Sequence, residues 1–400
     1  MLRLWFGLLL GTSIGLVGCG GSSNTNVPGT NPIAGSGSNV QAVNAGGGTF
    51  NPAGILNGAF TTVIVCVPGT SNCATVNGML VDTGSTGVRI LASALPSGFP
   101  LPHQTTGGNP VAECAQFVDG SAWGSVVTAD VKMASEVASS VPMQIIADPA
   151  FPTIPAACPG PLEQTVTDLG ANGILGVGNF RQDCGSACVT SSAPGLYYTC
   201  PGSGCVVTTQ SLAAQVQHPV AMFSTDNNGV ILQLPSVPAS GAASNSGSLV
   251  FGIGTQSNNA LGSATVLTLD ANGNFTTTFN GQAFPGSFVD SGSNGLFFLD
   301  STTTHMPMCT TNTEFYCPTS SQGFSVTNTG VNGQSTPVTF TIANADALLS
   351  ASTTTFLFSN LGAPNPGIFD FGLPFFLGRN VFVAIEGQNT PAGPGPYTAY

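Results

Sequence analysis

Four hundred residues leave room for one large domain or two medium ones. Seventeen acidic residues against five basic ones give a net charge of −12, and charged residues make up only 6% of the chain, against roughly 25% in ordinary soluble domains. Only four basic residues lie beyond the extreme N-terminus (Arg89, Lys132, Arg181 and Arg379). They cannot neutralise a row of phosphates, which excludes nucleic acid as a partner.

The chain opens MLRLWFGLLLGTSIGLVGCG. Arg3 supplies a short positive segment. Residues 4–18 are apolar but shorter than the ~20 residues of a bilayer-spanning helix. Small residues then lead into Cys19. This order resembles a bacterial lipoprotein signal. It implies that residues 1–18 are removed, that Cys19 is acylated, and that the membrane is met through that lipid only. Gly20, where an aspartate would signal inner-membrane retention, favours the outer membrane of the cell envelope. Residues 19–48 hold no charge and are rich in Gly, Ser and Asn; they read as a flexible linker.

From residue 49 onward, short β-rich runs alternate with Gly, Asn, Pro and Ser. The runs include FTTVIVCV (60–67), GSVVTADVKM (124–133), SLVFGI (248–253), ATVLTL (264–269), NFTTTF (274–279) and TPVTFTI (336–342). Turn pairs at Asn77-Gly78, Asp119-Gly120 and Asn280-Gly281 predict hairpins and an all-β fold. Helical patterning is confined to residues 209–217 and a short stretch at 344–350.

A distant internal repeat organises this material. Residues 78–91 (GMLVDTGSTGVRIL) and 286–299 (GSFVDSGSNGLFFL) are identical at seven of fourteen positions. An apolar-apolar-Gly triplet follows each copy at a similar distance: Ile174-Leu175-Gly176 after the first, Phe376-Leu377-Gly378 after the second. The period is far too long for a solenoid. It predicts two homologous lobes, 49–238 and 239–400. Each repeat ends an apolar strand on an aspartate in a glycine-containing turn, so facing lobes would bring Asp82 and Asp290 together. Two carboxylates that close share a proton: the charged one can deprotonate a water while the neutral one polarises a carbonyl. Gly84 and Gly292 permit the tight turns. Thr83 and Ser291 can tie the loops to each other, and Ser85 and Ser293 can hold the carboxylates in plane.

Over residues 50–390 the chain resembles the pepsin-like aspartic proteases. The resemblance rests on the order Asp-Thr-Gly-Ser, Ile-Leu-Gly, Asp-Ser-Gly-Ser, Phe-Leu-Gly. More narrowly, the chain resembles a group of proteobacterial lipoproteins with that fold. The likeness implies a bilobal fold of two β-barrel-like lobes around a cleft, and a monomer that cuts peptides or unfolded proteins. It also implies a hairpin flap over the cleft. The corresponding stretch, 116–124, offers Phe117, Asp119, Gly120 and Trp123 as flap or substrate contacts but lacks the family's tyrosine. Arg89 stands where the family has a tryptophan. Phe297 and Phe298 are read as core. The function implied is an aspartic-type endopeptidase working in acid. The alternative is an inactive relative that binds peptides or supports the envelope.

Eleven cysteines are too many for an ordinary reduced enzyme. Setting Cys19 aside leaves ten. Cys66–Cys73 and Cys309–Cys317 each close a short loop, and Cys114 and Cys158 remain for each other. Among Cys184, Cys188, Cys200 and Cys205, a nested arrangement (Cys184–Cys205 with Cys188–Cys200) is the working expectation and a crossed one stays open. His103, His218 and His305 stand apart from any cluster at ligand spacing, so no metal is implied. The glycine-rich 173–178 and 252–257 open no βαβ unit, so no dinucleotide cofactor is implied. The scarcity of charge predicts tolerance of low pH.

Overall fold

The computed structural model describes residues 36–400. The signal segment, Cys19 and the first part of the linker lie outside the described residues. Among the described residues, strands dominate, helices are short, and no helix is long and apolar enough to cross a membrane.

Each lobe is built around the same threading. In the first lobe, Cys73–Asp82 runs parallel to Gly173–Val177, with Val81 opposite Leu175 and Asp82 opposite Gly176. Thr86–Leu91 lies antiparallel on the other side of Gly173–Val177. The strand is thus passed between the two strands that flank the Asp82 turn. In the second lobe, Gln282–Val289 runs parallel to Asn365–Phe371, with Val289 opposite Phe371. Leu296–Leu299 pairs antiparallel on its other side. The two lobes therefore repeat a topology as well as a sequence.

That register corrects one motif. The strand bracing the second turn is not Phe376-Leu377-Gly378. Position for position, Ile174-Leu175-Gly176 corresponds to Asp370-Phe371-Gly372. A Cβ on Gly372 would lie 2.0 Å from the Gly295 carbonyl oxygen, which only glycine avoids. Phe376 ends a buried helical turn, Leu373–Phe376, instead.

The lobes are joined by an antiparallel sheet. Its order runs Val40–Gly46, Ser244–Phe251, Gly229–Leu234, Arg379–Ala384, Tyr397–Ala399. Residues 40–46, expected to be linker, are therefore a strand paired with Ser244–Phe251 and with Ala59–Cys66. Residue 238, the expected lobe boundary, falls in the connection between two paired strands of this sheet.

The other predicted strands occur within a few residues of their expected bounds. Asn280-Gly281 forms a two-residue hairpin with both residues at positive φ. Asn77-Gly78 does not turn the chain; it bulges within Cys73–Asp82, where pairing with the neighbouring strand shifts register. Asn344 caps the short helix Ala345–Ala351 by accepting from the Ala347 N–H. Residues 209–217 form only the 3-10 turn Leu212–Ala214. Their backbone is used elsewhere, since the Gln217 N–H donates to Pro142 and the Gln215 side chain to Gln210 and Gly185. The core is aromatic in the second lobe, where Phe298 contacts Phe324, Phe340 and Phe369. Phe297 and Phe298 are both core, as expected.

Five disulfides are present: Cys66–Cys73, Cys114–Cys158, Cys184–Cys188, Cys200–Cys205 and Cys309–Cys317. The nested pairing of the middle four is corrected to two local bridges. The reason is alternation along a strand. Cys184 and Cys188 pack with Val111 and Tyr197, while Cys200 and Cys205 pack with Ala112 and Tyr198. Neighbouring residues of a strand face opposite sides, so the sheet separates the two couples.

Candidate active site

The two Asp turns meet at the lobe interface with mirrored hydrogen bonds. The Gly84 N–H donates to Asp82 Oδ1 (2.9 Å) and the Gly292 N–H to Asp290 Oδ1 (2.8 Å). The Ser85 hydroxyl donates to Asp82 Oδ2, and the Ser293 hydroxyl to Asp290 Oδ2 (2.9 Å). Each carboxylate is thus fixed on both oxygens by its own turn.

Each turn is also completed by the other lobe. The Thr83 N–H donates to Ser291 Oγ (3.1 Å), and the Ser291 N–H donates to Thr83 Oγ1 (2.9 Å). The Ser291 hydroxyl donates to the Val81 carbonyl (2.8 Å) and the Thr83 hydroxyl to the Val289 carbonyl (3.5 Å). The carboxylate of Asp290 crosses onto the first turn. A Cβ added to Gly84 would lie 2.5 Å from Asp290 Cγ. Asp82 and Asp290 are both buried, at the lobe boundary where the repeat places them.

The flap is a hairpin of Asn109–Gln116 and Ser121–Met133, closed by the Phe117 N–H donating to the Gly120 carbonyl (2.7 Å). A cavity of about 380 Å³ lies between this hairpin and the aspartate turns, lined among others by Gly84, Phe117, Phe288 and Asp290. Phe117 faces this cavity. Asp119 is half-buried at the tip, and Gly120 is backed by the Pro161 carbonyl. Trp123 is corrected from substrate contact to core. It is 1% exposed, donates its indole N–H to the Phe151 carbonyl (3.0 Å), and meets Tyr198 edge-on.

Arg89 centres a buried charge cluster. Its Nη2 donates to Glu113 Oε1 (2.6 Å) and to Asp183 Oδ2 (3.1 Å), and its Nη1 donates to the Thr86 carbonyl (2.7 Å). Glu113 belongs to the flap strand, so the cluster ties the base of the flap to the Asp82 lobe. The Tyr197 hydroxyl donates to Asp183 (2.6 Å). The Arg89 guanidinium also lies 6.0 Å from the Phe117 ring. Burial alone would lower the guanidinium pKa; the Glu113 and Asp183 carboxylates outweigh it and raise it. Two acids sharing one base leave an excess negative charge in a dry place. Burial, then the Glu113 charge, accordingly lift the Asp183 pKa well above the usual carboxyl range.

A family model described as "Protein of unknown function (DUF3443)" matches residues 35–400. The chain belongs to that family. No curated protein matches it by sequence. Among solved structures, an aspartic proteinase from Irpex lacteus superimposes with a TM-score of 0.53 at 17% identity, over 90% of this chain and 96% of that one. The fold of this DUF3443 chain is therefore pepsin-like and bilobal.

Two contributors to the site escaped sequence reading. Asn57 is buried in the first lobe and donates to the Asn294 carbonyl (2.7 Å), beside the second turn. An asparagine preceding a glycine reads as a turn residue, and nothing local marks it as a strut. Asp370 touches Ser293. It interrupts the apolar-apolar-Gly pattern that would otherwise mark its strand.

Proposed function

We propose that this protein is an aspartic endopeptidase in which Asp82 and Asp290 activate a water against a peptide carbonyl. The observation that carries the reading is the mirrored bonding of the two turns. Both carboxylates, both glycine amides, both outer serines and the reciprocal Thr83–Ser291 pair occur together. A merely capped turn aspartate needs none of the cross-lobe partners. One carboxylate ionised and one neutral provide the base and the acid of hydrolysis. The apolar cleft walls Phe117 and Phe288 suit an extended peptide with apolar side chains near the cut.

The test is incubation of the soluble domain with a denatured protein at pH 3–6, beside Asp82→Asn and Asp290→Asn. Both substitutions preserve shape and remove the ionisable group. Loss of cleavage in each by about 10³-fold or more, and inhibition by a pepstatin-type statine peptide, are expected. Cleavage that persists in both variants refutes the dyad. Phe117 in place of a hydroxyl-bearing flap residue favours a second reading, a non-hydrolytic peptide-binding envelope protein. Statine-peptide binding by a wild type that cleaves nothing at any pH would support it.

We further propose that the mature chain is held in the cell envelope through acylated Cys19. Cys19→Ser is then expected to move the protein from the membrane fraction to the soluble one.

A further inference from the structure

A third carboxyl lies behind the dyad, and the other lobe has no counterpart for it. Asp370 occupies the position that Ile174 fills in the first lobe. Its Oδ2 is 2.7 Å from Ser293 Oγ, which is itself 2.9 Å from Asp290 Oδ2. The Ser293 hydroxyl has one proton and two carboxylate oxygens within reach. If both acids were ionised, one of these short contacts would hold two acceptors and no hydrogen. A second proton must therefore sit in this row of three oxygens.

The surroundings put it on Asp370. The residues registered against Asp370 on its two neighbouring strands, Phe288 and Phe297, are apolar. Its Oδ1 is buried with no hydrogen-bond partner among the described residues. That is costly for an anion and far less so for a neutral acid. Among the described residues, the charged groups acting on it are Asp290 and, more weakly, Asp82. Burial first, then the Asp290 charge, push the Asp370 pKa well above the ordinary carboxyl range.

We propose that protonated Asp370 is a positioning residue, donating to Ser293 Oγ so that the Ser293 proton is committed to Asp290. The inference rests on the reading of Asp82 and Asp290 as a hydrolytic dyad. With Asp370 neutral, Asp290 accepts on both oxygens, as Asp82 does. When Asp370 ionises, it competes for the Ser293 proton and Asp290 loses a donor. Asp370 therefore sets the alkaline limb of activity. Ile174 in the equivalent place cannot do this for Asp82, so two turns of matching sequence become chemically unequal.

The experiment compares wild type, Asp370→Asn and Asp370→Leu by kcat and KM across pH 3–8 on a peptide substrate. The Asn amide keeps a donor to Ser293 but cannot ionise. D370N is expected to stay within about threefold of wild type in acid and to hold its rate about one pH unit further into the alkaline limb. D370L removes the donor, and its kcat is expected to fall about tenfold or more with KM changed less than about twofold. An unchanged alkaline limb in D370N, or an unchanged kcat in a folded D370L, overturns the proposal. Thermal melts across the same pH range give a readout independent of cleavage. A raised folded-state pKa gives stability in acid that is lost as pH rises above the ordinary aspartate value near 3.9. Wild type should lose more stability over this range than D370N. Identical slopes overturn a protonated Asp370 even if D370L fails to fold. Failure of wild type to cleave any substrate would instead count against the dyad, leaving the melts to decide Asp370.

Discussion

Replacing Arg89 by methionine tests whether the cluster beneath the flap is held by charge or by packing. Methionine matches the length of the arginine stem, so the apolar contacts of the side chain are largely kept. What is removed is one cation bonded to Glu113 (2.6 Å), Asp183 (3.1 Å) and the Thr86 carbonyl (2.7 Å). Both carboxylates stay buried and face each other without a counter-charge. Deleting one partner of a buried ion pair costs about 3–5 kcal/mol. At pH 7.5 the R89M protein should lose about that much in urea unfolding. At pH 4 the loss should shrink to about 1 kcal/mol, because Asp183 can take up a proton and the repulsion disappears. The direction follows from Asp183, whose pKa burial and Glu113 already raise. Adding Glu113→Gln and Asp183→Asn to R89M should recover most of the deficit at pH 7.5. A loss that is equal at both pH values, or below about 1 kcal/mol at pH 7.5, would refute the electrostatic account and leave Arg89 as a packing residue.

Gly84→Ala should leave the fold intact but cut cleavage by about 100-fold or more, since its Cβ would lie 2.5 Å from Asp290 Cγ; circular dichroism beside a peptidase assay decides, and full activity would contradict the close approach. His218 is fully buried, and burial lowers its pKa to about 4. The unfolded chain binds that proton from pH 6.5 downward, so this group removes about 3 kcal/mol of stability between pH 6.5 and 4. Melts of wild type and His218→Gln over that window should diverge in slope; parallel curves would exclude the effect. Removing Cys114–Cys158, which spans 44 residues, should cost about 4 kcal/mol, and removing Cys184–Cys188, which spans 4, about 2 kcal/mol. Chemical denaturation of the two double-alanine variants checks the order.

His218 also bears on the expected acid tolerance. Sparse charge leaves few salt bridges to break, yet a buried neutral histidine destabilises the folded state as the pH falls. Asp183 and Asp370, whose pKa values are raised, act in the opposite sense and favour the folded state at low pH. Tolerance is then a balance among three buried groups, which composition alone does not reveal.

The pair of aspartate turns is legible because its information is local. A strand, an aspartate, a glycine and two hydroxyls lie within five residues, and they occur twice. What sequence left hidden is whatever depends on partners far along the chain. The brace Asp370-Phe371-Gly372 was missed because one acid broke an apolar pattern, and a neighbouring Phe-Leu-Gly supplied a decoy. Disulfide partners among Cys184, Cys188, Cys200 and Cys205 depend on which face of a sheet each occupies, and that is set by the pairing of Tyr197–Thr199 with Asn109–Gln116. The strand Val40–Gly46 looks like tether because its pairing partner is the distant Ser244–Phe251.

That strand also decides how the molecule takes a mechanical load. A pull on the chain ahead of residue 40 enters along Val40–Gly46, which is registered with Ser244–Phe251 over its whole length. Hydrogen bonds loaded along a strand resist together, in shear, whereas bonds loaded from one end unzip singly. The pull also arrives in the sheet that joins the lobes. Tension entering ahead of residue 40 would therefore be borne first by this shared ladder of hydrogen bonds.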